Sequence, residues 1–347
     1  MRTPDIYIKG LGTYLPDRVS IEQAVEQGLY PAGEVDPLGF TGAVVAGDTP
    51  APEMALQAGR DAVKRCGQQP DELDLLVYAD TWPQGPEGWL PCSYIQHHLT
   101  GGSPLALEVK QGCNGMFGAM QLAAGYLHGD PGRRNALLVA SDNFGTPLLD
   151  RWRGGPFVLG DAASAVVLSK DEGFARLHSV GVTAIPEAEE MSRGGQPLFP
   201  PSITVGRGLD FHALHRTPRN ADPATKALMA AGMMLVHRRI TDLFEGALAD
   251  AGITAEDVKR IAVVNNTREM VEERQLGVLG YDLARSTWDY GRTIGHCGAS
   301  DQLLALDHLL AQGELKPGDH FAMFGMAPGV ILACAVIEII TTPPWLS

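Results

Sequence analysis

Paired cysteines are missing from this chain of 347 residues. The five it has, Cys66, Cys92, Cys113, Cys297 and Cys334, are scattered and never spaced C-x-x-C. That excludes a disulfide framework and a thiolate zinc site, and it suits a reducing, cytoplasmic setting. Basic runs are missing as well. Lys and Arg number 27 against 41 Asp and Glu, a net charge of −14, which argues against nucleic acid or an anionic membrane as partner. Small anionic substrates stay open, since they need only a few local arginines. The start, Met1 to Ile6, has no signal-peptide apolar run. The longest apolar segment, Gly329 to Ile340, contains Glu338 and is too short to span a bilayer, so it reads as a core strand. No glycine-rich stretch has the order of a nucleotide-binding P-loop. His212 and His215 have a metal-like spacing but no third ligand nearby, so no metal and no resident cofactor are expected.

What the chain does have is a cysteine in a tight turn. Leu105 to Val109 reads as a short buried strand, Gln111 to Gly118 as a turn around Cys113, and Ala119 to Leu127 as a helix. A thiol at the mouth of a helix faces unpaired backbone amides and the positive end of the dipole, which favour its thiolate. A thiolate there is a nucleophile able to carry an acyl group. The other reading of Cys113 is a small buried apolar residue.

The chain echoes itself. A helix over Ala51–Cys66 leads through Gly67 into an apolar strand, Leu73–Ala79; a helix over about Ala224–Ala251 leads through Gly252 into Ile261–Val264. The turn at Cys113 opens a helix that leads to a strand at Ala136–Ala140. The turn at His296 opens a helix, Gln302–Leu310, that leads to Phe321–Phe324. This order predicts an α/β unit built twice, over residues 1–175 and 176–347. If the halves pack as pseudo-twofold mates, the Cys113 and His296 turns share one cleft. Glu187 to Asp222, rich in Pro, Gly and Arg, reads as a surface excursion whose Gly194–Arg219 part lines an acceptor pocket. The stiff loop Trp82–Pro91 reads either as a wall of the substrate entrance or as dimer-contact surface.

From Tyr7 to its C-terminus the chain resembles the thiolase-fold condensing enzymes, in particular β-ketoacyl-acyl-carrier-protein synthase III. The resemblance rests on the opening Tyr7–Pro16, the turn Gly112-Cys113-Asn114-Gly115, the segment Leu159-Gly160-Asp161 to Leu168, and Phe324-Gly325-Met326. It implies a five-layered αβαβα fold, a homodimer, and a tunnel for the pantetheine arm of coenzyme A or acyl carrier protein. It also implies an oxyanion hole between the backbone N–H groups of Cys113 and Met326. Arg153 stands where the family places an arginine on the adenine of coenzyme A, although it could equally be a surface arginine. Arg268 is a weaker candidate for pantetheine or phosphate. Gly160 and Asp161 read as structural.

Two departures shape the functional expectation. Where the family has its decarboxylating histidine, at the end of a second-half strand, this chain has Asn265; where the family has a Gly-Asn turn, it has Gly295-His296, with Asp301 following. Condensation needs two neutral donors to stabilise the enolate left when malonate loses carbon dioxide. A histidine oriented by a carboxylate is instead a general base. Cys113, His296 and Asp301 then form a nucleophile–base–orienter set, with Asn265 donating to the acyl group or to His296. The alternatives are a turn histidine at 296 and a helix N-terminal carboxylate at 301. The pattern is similar to a small branch of synthase III-like acyltransferases in actinobacterial secondary metabolism, the cervimycin malonyl-transfer branch. It implies an acyltransferase that moves an acyl group, malonyl in the leading reading, from a coenzyme A or carrier-protein thioester to a hydroxyl of a natural product. A decarboxylative synthase making a carbon–carbon bond is the alternative.

Overall fold

The computed structural model describes residues 1–86, 88–146, 149–188, 198–199 and 223–346. Its strands are β1 Tyr7–Tyr14, β2 Arg18–Ser20, β3 Gly42–Val44, β4 Leu75–Asp80, β5 Leu105–Lys110, β6 Asn135–Asp142, β7 Ala162–Ser169, β8 Ala175–Ala184, β9 Val258–Ala262, β10 His320–Ala327 and β11 Ile331–Ile339. β2 and β3 form a separate ribbon; the other nine run β5-β4-β6-β7-β1-β8-β11-β10-β9. β1 and β8 share only the pairs Tyr7–Arg176 and Ile8–Ala175. The long sheet is therefore two sheets joined at a corner.

The two sheets match strand for strand. In the first, β4–β6 is parallel while β6–β7 and β7–β1 are antiparallel. In the second, β9–β10 is parallel while β10–β11 and β11–β8 are antiparallel. β5 has only a remnant as its counterpart, a single bridge from Ile261 to Ser286.

Helices fill the layers between and outside these sheets. Gly115–His128 and Asp301–Ala311 are apolar around most of their circumference, as a helix enclosed on both sides must be. Met116, Phe117 and Met120 of the one meet Leu303, Leu306 and Leu309 of the other, with Val77 and Ala79 of one sheet and Phe321 and Met323 of the other in the same core. Ala51–Cys66 covers the outer face of the first sheet over Leu76, Tyr78 and Val139. Pro223–Ala251 covers the outer face of the second over Ala322, Phe324 and Val336. The result is the expected αβαβα order. Gly10 and Gly12 let the outer helix lie flat on β1: a Cβ would stand 2.2 Å from the Ala62 carbonyl oxygen at the one and 2.1 Å from that of Ala58 at the other.

Some elements differ from the sequence reading. Leu105–Val109 is not a buried strand. It belongs to β5, which pairs with β4 alone and is largely half-exposed; Leu107 and Val109 face the central core and Ala106 the outer one, and periodicity over so few residues does not tell an edge from a centre. The helix after the Cys113 turn starts at Gly115, not Ala119, because Gly115 packs on Ala79 and Gly118 on the Gln111 side chain, where a Cβ would clash at 2.8 and 2.4 Å. β9 ends at Ala262, before Val264, whose N–H turns to the Gln275 side chain. The excursion Glu187–Asp222, with Gly194–Arg219 and the His212/His215 pair, lies outside the described residues except at 187–188 and 198–199. No described helix is long and apolar enough to cross a membrane.

Candidate active site

Two equivalent turns meet at the centre of the molecule. After β5, Gly112 takes φ +53°, a value only glycine adopts freely, and Gly112–Asn114 forms a tight turn into the helix Gly115–His128. In the second half Gly298 takes φ +60°, and Gly298–Ser300 forms the same turn into Asp301–Ala311. Cys113 therefore matches Ala299, and Gly115 matches Asp301. His296 lies just ahead of its turn, so the expected kinship of the two turns holds at the level of the turn and not residue for residue.

His296 is fixed from all sides. Its N–H donates to the Val158 carbonyl at 2.7 Å, and its own carbonyl accepts from Gly160 N–H at 3.0 Å. The Phe157 ring stacks on the imidazole, centroids 4.8 Å apart. Nε2 stands 2.9 Å from Cys113 Sγ, and Nδ1 stands 2.6 Å from Asp301 Oδ2. All three residues are buried: Cys113 is 6%, His296 2% and Asp301 1% exposed. Cys113, His296 and Asp301 thus form one hydrogen-bonded line across the two halves.

A buried carboxylate is tolerable only when its lone pairs are taken. Asp301 Oδ2 accepts from the N–H of Asn265 at 2.8 Å as well as facing His296, and Oδ1 accepts from Cys297 N–H at 2.7 Å and Asn265 Nδ2 at 3.1 Å. This corrects the expectation for Asn265. Its amide donates to Asp301 and to the Gly295 carbonyl at 2.8 Å, not to His296, because these two acceptors take both of its N–H groups. A Cβ at Gly291 would lie 2.0 Å from Asn265 Oδ1, so glycine there keeps this seat open.

Burial works against a charged His296, but the charges on Cys113 and Asp301 and the hydrogen bonds to both outweigh it and raise its pKa well above the ordinary histidine value. The imidazolium is the favoured form, with its charge facing Sγ. Burial, with the Asp301 charge behind it, pushes the neighbouring Cys297 thiol up. That thiol is fully buried among Ile294, Leu304 and Val44.

The remaining candidates fall as follows. Met326 pairs with Leu332 at the end of β10. The same strand end lies against the Cys113 turn: a Cβ at Gly325 would meet Asn114 Oδ1 at 2.3 Å, and one at Gly112 would meet Pro328 at 3.1 Å. Arg153 is exposed. Its neighbour Arg151 is bound instead to the Asp161 carboxylate at 2.9 Å. Asp161 also accepts from Ala46 and Phe144 N–H groups at 2.8 and 2.7 Å, the structural work expected of it. Arg268 is exposed, pairs with Glu272 at 3.2 Å and lies over Trp288.

Two residues at the site escaped the sequence. Phe157 braces the imidazole from a segment far from it in the chain. Asp142 lies under the second turn, Oδ1 accepting from Thr81 and Trp82 N–H groups at 2.8 Å each and Oδ2 against Gly298. Burial pushes its carboxyl well above the usual range.

Known proteins share this frame. The family model for 3-oxoacyl-[acyl-carrier-protein (ACP)] synthase III matches residues 107–183, and the model for that family's C-terminal part matches 248–339. A solved structure named ChlB3, described as an acyltransferase, is 52% identical, with a TM-score of 0.91 over 99% of this chain and 100% of that one. The chain belongs to the synthase III family. Among its relatives, the acetoacetyl CoA synthase NphT7 of Streptomyces sp. (strain CL190) is 26% identical over 95% of this chain and 98% of that protein. The synthase III of Aquifex aeolicus VF5 is 19% identical with a TM-score of 0.75, over 96% of this chain and 99% of that one; at that identity the likeness is one of fold. This synthase III-like enzyme carries Asn265 and His296 where the family resemblance led us to expect histidine and asparagine.

Proposed function

We propose that this enzyme is a ping-pong acyltransferase that moves an intact acyl group, malonyl foremost, onto a hydroxyl of a natural product such as a glycosylated polyketide. The reading rests above all on His296, which joins Cys113 Sγ to the Asp301 carboxylate.

In the first half-reaction the thiolate of Cys113 attacks the thioester carbonyl of acyl-coenzyme A or acyl carrier protein. The oxyanion is held by the N–H groups of Cys113 and Met326, a type of contact worth about 3 kcal/mol of barrier per donor. The carbon–sulfur bond to the donor breaks, and His296 gives its proton to the departing thiolate. In the second half-reaction the neutral imidazole takes the proton of the acceptor hydroxyl, the oxygen attacks the acyl-cysteine, and the carbon–sulfur bond to Cys113 breaks. Asp301 holds the imidazole in one tautomer through both steps. Arg153 and Arg268 serve the nucleotide and phosphate end of the donor. The enzyme works as a homodimer and needs no cofactor beyond its thioester substrate.

Loss of carbon dioxide is disfavoured for a stated reason. An enolate would need a donor beside the acyl group, and the Asn265 amide is already spent on Asp301 and the Gly295 carbonyl. Intact-protein mass spectrometry after mixing with malonyl-coenzyme A tests the reading. A three-carbon malonyl adduct is expected, absent from Cys113→Ala. An acetyl adduct, or a carbon–carbon product, would establish the decarboxylative synthase instead.

A further inference from the structure

A second cluster of chemically able side chains lies at the far end of the second sheet. His178 of β8, Glu338 of β11 and His320 of β10 come from three neighbouring strands, and one ligand atom from each lies within 4.8 Å of the others. Glu338 is the direct cross-strand partner of His320. Its carboxylate takes a 2.9 Å hydrogen bond from His178 Nε2. The two imidazole centroids are 5.9 Å apart.

A backbone irregularity aims these groups. Leu177 pairs with Ile337 and Ser179 with Val336, so His178 is the extra residue of a bulge in β8. The bulge lets His178 and Ser179 both turn to the outer face, where Ser179 Oγ donates to the Ala247 carbonyl of the covering helix at 2.8 Å. The ladder position lost at His178 is filled from the N-terminus, since Thr3 N–H donates to the His178 carbonyl at 3.0 Å. Bulges commonly re-aim a side chain in this way.

The donor set has a definite chemistry. We propose that His178, His320 and Glu338 bind one divalent transition-metal ion, with Zn2+ the best fit, and that the ion clips β8, β11 and β10 together. Two imidazoles and one carboxylate suit Zn2+ and not Mg2+ or Ca2+, which take oxygen ligands. Tetrahedral Zn2+ with bonds near 2.1 Å sets its ligand atoms about 3.4 Å apart, so modest side-chain rotation closes the site. The three side chains are half-buried on hydrogen-bonded strands. Arg176, the cross-strand neighbour of Glu338 on β8, places a positive charge nearby and holds the affinity down. The site sits at the opposite end of β10 from Met326, about 20 Å away by strand rise, so it acts on the stability of the sheet and not on acyl transfer.

The test uses the full chain as Cys113→Ala, which removes the thiolate–imidazole pair as a competing site. Titration with Zn2+ by calorimetry, and Tm with Zn2+ against EDTA, are read in that background. One saturable equivalent and a rise in Tm are expected, both lost on adding His178→Ala or His320→Ala and weakened at least tenfold by Glu338→Gln. If the histidine variants unfold, Co2+ absorption in the Cys113→Ala protein decides: nitrogen and oxygen ligation supports the site, and a thiolate charge-transfer band overturns it. Absence of saturable binding, or binding unchanged by all three substitutions, also overturns it.

Discussion

At the scale of single residues, the arrangement turns on what Asp301 does with its four acceptor contacts. Three come from Asn265 and Cys297 and one from His296. Asp301→Asn would keep the shape, lose the charge and turn an amide N–H toward a donor. Acyl transfer should fall about 10⁴-fold, the scale of replacing a triad carboxylate by its amide elsewhere, and a stopped-flow transfer assay checks it. Asn265→Ala removes the amide bonds to Asp301 and the Gly295 carbonyl while Asp301 keeps its other contacts, so it should cost less, about tenfold, with stability lowered by about 1–3 kcal/mol from the buried Gly295 carbonyl left without its donor. Asn265→His should not produce carbon dioxide from malonyl-coenzyme A, because that seat faces Asp301 and Gly295. The pH behaviour of His296 has a definite sign. Its raised value means its charge favours the folded state below the ordinary histidine range, and that contribution is lost as pH rises through the folded value. Nitrogen-15 NMR of His296 should show an imidazolium persisting above the ordinary range and titrating lower in Cys113→Ala, which removes one source of the shift. Cys113, His296 and Asp301 could be singled out in advance because the repeated turns set Cys113 opposite His296 and the family resemblance put His296 and Asp301 where other residues were expected, but spacing alone does not show that Asp301 meets His296. The task of Asn265 could not, since nothing in Val263–Asn266 tells which way a strand end turns. Nor could Phe157, whose stacking partner is remote in the chain.

At the scale of elements, close approaches and edges carry the consequences. Gly10→Ala or Gly12→Ala would push the helix Ala51–Cys66 off β1 and should destabilise by at least about 1–3 kcal/mol, the usual cost of overpacking. Gly246→Ala, exposed on the helix Pro223–Ala251 with no atom near its new Cβ, should stabilise by about 0.5–1 kcal/mol. Urea denaturation compares all three. At the edge, Lys110 of β5 holds buried Asp80 of β4 at 2.5 Å. Burial, outweighing the Lys110 charge, raises the Asp80 carboxyl to about 6. The folded state then prefers the protonated acid. Stability from this group is full below the ordinary carboxylate range and is lost as pH climbs from about 4 to about 6. Wild-type Tm should therefore fall across that window relative to Asp80→Asn. Helix bounds such as Ala51–Cys66 were visible from a clean apolar stripe and a closing glycine at 67. The edge position of β5 was not, because Leu105, Leu107 and Val109 outweigh Glu108 and Lys110 in the sequence pattern, and only the pairing partners reveal that one side is open.

At the scale of the whole molecule, duplication is what makes the site. Neither half holds the whole Cys113–His296–Asp301 line; Cys113 comes from one turn, and His296 and Asp301 from its counterpart, so the line exists only where the two sheets close on the central helices. The rhythm of helix, glycine and strand made this duplication legible, along with the family. The match between Cys113 and Ala299 was hidden, since the two turns share glycines and almost no side chains. The central claim is transfer of an intact acyl group through Cys113. Malonyl-coenzyme A labelled in its free carboxyl carbon tests it most directly, by following the label after a single turnover. The label is expected on the Cys113 peptide and to leave it only when a hydroxyl acceptor or water takes the whole acyl group. Label released as carbon dioxide, with an unlabelled two-carbon unit left on Cys113, would contradict it.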